Sequence, residues 1–91
     1  MKDYDYYCSP ERTLSELAAE VTGDRSLKAR NIHNARIREI LSLTGWDDRL
    51  VREELFDFAK SCASGPNLKD PAKALTKRFN AILASLRKGR T

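Results

Sequence analysis

The stretch from Thr13 to Asn34, TLSELAAEVTGDRSLKARNIHN, decides what kind of molecule this is. Thr13 and Glu16 have the spacing of a capping box, in which hydroxyl and carboxylate answer the orphan amides of a helix start. Leu14, Leu17, Ala18 and Val21 then follow the i, i+3, i+4, i+7 rule for one buried helical face. Gly23 supplies the left-handed residue that commonly ends a helix. Asp24 or Ser26 can cap a second helix that carries Leu27, Ala29 and Ile32 towards the core.

Working outward, Arg30-Asn31 and His33-Asn34 are too polar to pattern a core, while Ile37, Ile40, Leu41 and Thr44 resume a clean stripe. Residues 24–44 therefore read as one long helix or as two, with a break near Asn34 the expected arrangement. Thr44-Gly45 ends that run. Trp46, Asp47 and Val51 have the spacing of a hydrophobic staple around an aspartate cap, and Val51, Leu55, Phe58, Ala59 and Cys62 continue a regular stripe to Gly65-Pro66. Asp70-Pro71 places a cap before a proline at the first helical position, and Leu75, Phe79, Ile82, Leu83 and Leu86 complete the last stripe. No segment alternates as a strand would. The expected fold is all-α, a compact bundle of four to five short helices, because no heptad pattern continues past two turns.

The expected organisation is an N-terminal arm over 1–12, one helical domain over 13–87 and a frayed basic tail over 88–91. Tyr4 and Tyr6, two residues apart, suit extended chain or a frayed end, with docking of the aromatic residues on the core preferred. The 91 residues, with 41% hydrophobic and 33% charged, suffice for a modest core without disulfide or metal. No apolar run approaches the roughly 20 residues of a membrane span. The opening Met1-Lys2-Asp3-Tyr4-Asp5 lacks the pattern of a secretory signal, so a cytoplasmic location and free Cys8 and Cys62 thiols are expected.

Net charge is only +4, but its distribution is uneven. Arg25, Lys28, Arg30, Arg36 and Arg38 fall in a run of fourteen residues with no acid. Residues 47–57 hold five acids against Arg49 and Arg52, and after Asp70 come six further bases, Lys73, Lys77, Arg78, Arg87, Lys88 and Arg90. The basic, amide-rich helix following 14–22 and the Gly23 turn looks like a helix-turn-helix, although Gly23 comes one residue late for the usual spacing. On a regular helix Lys28, Asn31 and Arg38 share an exposed side with Arg25, flanked by Arg30, His33, Asn34 and Arg36. These eight residues are the candidate nucleic-acid contacts: arginine and lysine suit guanine edges and phosphates, and asparagine suits adenine. The later bases either extend that footprint or form a solvated face, with the solvated face preferred.

Catalysis is not expected. His33 is the single histidine, no serine sits in a nucleophile elbow, and there is no glycine-rich phosphate loop. Cys8, Cys62 and His33 lack the close cysteine pair and the fourth ligand of a metal site, so no cofactor is expected. Two functions compete. One is a small sequence-specific DNA-binding regulator of transcription or replication, of the phage or plasmid type, acting as a homodimer. The alternative is an adaptor or inhibitor binding another protein through acidic residues 47–57, with Phe56 exposed among them.

Overall fold

A computed structural model describes residues 3–43, 46–65 and 69–88. Five helices follow one another: α1 (Tyr4–Cys8), α2 (Leu14–Thr22), α3 (Leu27–Ser42), α4 (Asp48–Ser64) and α5 (Pro71–Lys88), with no strand among the described residues. The helix starts are chemically marked. Side chains of Asp3, Thr13, Ser26 and Asp47 each accept from the amide three residues on at the starts of the first four helices, and Asp70 accepts likewise from Lys73 at the start of α5. Gly23 closes α2 with φ of 70°, a backbone state that side-chain-bearing residues resist. Gly65 closes α4 in extended backbone, and there a Cβ would stand 2.8 Å from the Ser61 carbonyl oxygen, so the position has room only for hydrogen.

The shortest of the longer helices sits at the centre. Leu17, Ala18, Ala19 and Thr22 of α2 are all buried, and the two alanines let neighbouring backbones come close. α2 packs against α3, α4 and α5, α3 also packs on α5, and α1 lies on α4. Leu17, Ile40, Val51, Leu55, Leu75 and Phe79 form the dry centre, drawing one or two side chains from each of α2 to α5. The result is a compact all-α bundle with a radius of gyration of 12.7 Å.

Several local expectations change. α3 is one continuous helix through Asn34, because His33 turns inward and its Nε2 lies 3.1 Å from the Ala72 carbonyl oxygen at the start of α5. A polar residue that finds a buried partner 39 positions away keeps the helix whole where its own sequence argues for a break. The buried residues of the first half of α3 are accordingly Ala29 and His33, while Leu27 and Ile32 stand exposed.

Residues 4–8 are helical, not extended, and the tyrosines dock on the bundle. Tyr7 is buried, Tyr4 and Tyr7 place their rings 5.5 Å from Phe56, and the Arg52 guanidinium donates to the Tyr7 and Ser9 carbonyls at 3.0 and 2.9 Å. Phe56 is therefore half-buried beneath α1, not an open patch. Trp46 is half-buried against the core and lines a shallow cleft with Ala81, Ile82 and Leu86 of α5. The expected stop at Thr44-Gly45, residues 66–68 before the Asp70-Pro71 cap, and the basic tail from Gly89 fall outside the described residues.

Candidate nucleic-acid interface

The connection between α2 and α3 is built by a relay of small polar side chains. Thr22 Oγ1 donates to the Ala18 carbonyl at 2.9 Å and accepts from the Asp24 amide at 3.3 Å. Asp24 Oδ1 in turn accepts from the Ser26 amide at 2.9 Å, and Ser26 Oγ from the Ala29 amide at 3.2 Å. Each residue caps the next, which fixes the direction in which α3 leaves the turn. The Ser26 hydroxyl and amide hold the Asp24 carboxyl below its ordinary titration range.

α3 packs chiefly on α2 and α5, and the side opposite them meets solvent. Leu27, Asn31, Ala35, Arg38 and Ser42 lie along that outer side, spaced at four, four, three and four residues, and all five are exposed. Lys28 and Arg30 are exposed on its two flanks, and Arg25 is exposed in the turn before it. Among the described residues none of Arg25, Lys28, Arg30 and Arg38 forms an ion pair.

Of the eight residues expected to touch nucleic acid, Arg25, Lys28, Arg30, Asn31 and Arg38 share this solvent-facing region, and Asn34 is half-buried at its edge. His33 is not among them, since it is 2% exposed and bonded inward. Arg36 turns away too: it faces Glu39 at 4.0 Å, and its Nε is buried without a partner among the described residues. The helical repeat puts Arg36 beside Ala29, His33 and Ile40, on the inner half of α3. Sequence reading missed Leu27, which is 74% exposed. Its apolar side chain reads as core, and only its place two residues before Ala29 on the helical repeat marks it as outward.

Many of the other charges are engaged within the fold. Glu54 accepts from Arg78 Nε at 2.9 Å, Glu53 accepts from the Tyr4 hydroxyl at 2.7 Å and faces Arg49 at 3.3 Å, and Asp48 pairs with the buried Arg52. Asp47 is occupied as the α4 cap. Arg87 pairs with Glu39 across the α3–α5 contact. Lys73 and Lys77 are exposed on α5, and Lys73 lines, with Lys28, Asp24, Ser26, Ile32 and Thr76, a cleft of about 310 Å³ floored by His33.

Cys8 and Cys62 are half-buried free thiols, and no group of three or more candidate ligands gathers among the described residues. No helix among them is long and apolar enough to cross a membrane. Compared with known proteins, the chain matches no family model, no curated protein and no solved structure.

Proposed function

We propose that this protein is a sequence-specific DNA-binding regulator that presents α3 to duplex DNA, with α2 and the Gly23 turn acting as a helix-turn-helix-like support. The observation carrying this reading is the outer side of α3, where Arg25, Lys28, Arg30 and Arg38 stand exposed and without ionic partners among the described residues, while Glu39, Glu54, Arg78 and Arg87 are paired. A solvated protein surface ordinarily mixes both signs, and a free cationic strip on a peripheral helix suits a polyanion. Asn31 and Asn34 add side chains whose amide pairs donor with acceptor, as an adenine edge requires.

A single helix touches few base pairs, so two copies acting on half-sites about one helical turn apart, ~34 Å, supply the specificity of a regulator. The competing adaptor reading has less to rest on. Its acidic segment is largely taken up by Tyr4, Arg49, Arg52 and Arg78, and its aromatic anchor Phe56 lies beneath α1.

A salt titration of binding to random-sequence duplex tests the proposal. Each phosphate contact contributes about −0.9 to the slope of log affinity against log salt, so binding that weakens steeply with added salt is the expected result. Lys28→Ala combined with Arg30→Ala flattens that slope by about two contacts' worth, ~1.8. Absence of duplex binding at low salt sinks the proposal.

A further inference from the structure

Resting on the DNA-binding reading above, we infer that α3 lies in the major groove of B-form DNA with Leu27, Asn31 and Arg38 reading base edges while Lys28 and Arg30 hold the two flanking phosphate strands. The outermost line of the helix combines three side chains of different recognition chemistry. Leu27 offers methyl groups to water at 74% exposure, Asn31 offers a carboxamide, and Arg38 offers a guanidinium with no ionic partner among the described residues. These match the thymine methyl, the adenine N6 and N7 pair, and the guanine O6 and N7 pair, and that set is displayed together only in the major groove.

The spacing along the axis suits a base ladder. At a rise of ~1.5 Å per residue Leu27 and Asn31 are about 6 Å apart, and Arg38 lies about 10 Å further on. Against a base-pair rise of ~3.4 Å, Leu27 and Asn31 address positions about two base pairs apart, and Arg38 a position about three beyond. Ala35, exposed between Asn31 and Arg38, has a side chain too short to hold the helix away from the bases.

Lys28 and Arg30 are two residues apart, so on a helix they point to nearly opposite flanks of this line. Lys28 lies on the α5 side, where Lys73 lines the same cleft, and Arg30 lies on the other. A cation on each flank fits a helix sunk between two phosphodiester strands better than one resting on a single strand. The A-form major groove of duplex RNA is too deep and narrow for these side chains, so the ligand is B-form DNA. A·T pairs are read at the Leu27 end of α3 and a G·C pair at the Arg38 end.

The test is selection from a pool of random duplexes by the full-length protein, followed by affinity measurements on the recovered sequence for the wild type, Asn31→Ala and Lys28→Ala. All three are checked for unchanged helicity, and both substituted positions are exposed. The expected outcome is a recovered site with A·T pairs about three base pairs from a G·C pair. Asn31→Ala then erases discrimination at one A·T position by about tenfold to a hundredfold, while Lys28→Ala weakens all duplexes alike. Duplex binding without enrichment of any sequence, or equal losses across all duplexes for Asn31→Ala, overturns the base-reading inference and leaves DNA binding standing. Equal affinity for an RNA duplex of the recovered sequence overturns entry into the major groove. Failure to retain any duplex at low salt removes the DNA-binding reading itself.

Discussion

α3 and α4 are nearly equal in length, at 16 and 17 residues, and both are rich in charge, yet they use it in opposite ways. On α4 the ionic side chains bind the molecule to itself: Asp48 and Arg52 clamp the end of α1, Glu53 takes the Tyr4 hydroxyl, and Glu54 reaches Arg78 on α5. On α3 the inward positions belong to Ala29, His33, Ile37 and Ile40, and Arg25, Lys28, Arg30 and Arg38 in and around it have no ionic partner among the described residues. Charge density in the sequence thus says little about function. What separates the two helices is whether opposite charges on other elements lie within reach of them.

The contrast breaks most severely at Arg52. Arg52→Met keeps the packed stem but leaves the Tyr7 and Ser9 carbonyls without their charged donor, and the expected loss in urea denaturation is about 3 kcal/mol. DNA affinity, measured where the variant is folded, stays unchanged. A loss of less than about 0.5 kcal/mol would place Arg52 with ordinary surface cations.

His33→Leu sharpens the boundary on α3 itself. Removing the bond to the Ala72 carbonyl costs about 1–2 kcal/mol of stability and leaves binding to DNA intact. A variant with undiminished stability and weakened binding would return His33 to the contact set.

The Tyr4 contact has a pH signature. Donation to Glu53, with a smaller contribution from Cys8, pushes the Tyr4 hydroxyl up from 10.0 to about 12. The folded protein therefore holds this proton more tightly than the unfolded chain does. The stabilisation is complete below pH 10.0 and is lost as pH rises through about 12. Tyr6 shifts in the same direction, chiefly through its donation to Glu20. Burial pushes Tyr7, the third tyrosine of the chain, up as well, so tyrosinate absorbance is expected to rise wholly above the ordinary range, and Tyr4→Phe to remove part of that late rise. A single phase near 10 would mean that α1 is not docked in solution.

Arg38→Ala is expected to have the smallest effect on the fold, less than about 0.5 kcal/mol, because no ionic partner is lost. Its salt slope for DNA falls by about 0.9 if Arg38 meets a phosphate, and stays near the wild-type value with a change in sequence preference if it meets a base. Thermal melting alongside the titration separates folding from binding.

Much of the architecture was legible because helix ends are local chemistry. Thr13, Ser26, Asp47 and Asp70 each cap within three residues, and the stripes of α2, α4 and α5 repeat without interruption. Legibility failed where the deciding partner was remote. The unity of α3 rests on a carbonyl in α5, and the burial of Phe56 rests on rings 49 to 52 residues earlier in the chain. For the candidate site, the run of bases was visible, but its outward subset depends on how α2 and α5 cover α3. That packing turned His33 inward, set a half-buried Arg36 beside Glu39, and left Leu27 in water.

The grip of Arg52 on α1 also bears on how a newly made chain acquires its shape. Five residues cannot sustain a helix alone, and every docking partner of Tyr4 and Tyr7 on α4 is translated more than forty positions later. On the ribosome this short segment must wait, exposed to proteases and chaperones, until residues 49–56 have left the exit tunnel. Synonymous changes that slow synthesis between the two segments prolong the interval, so codon choice there can alter yield without altering the product.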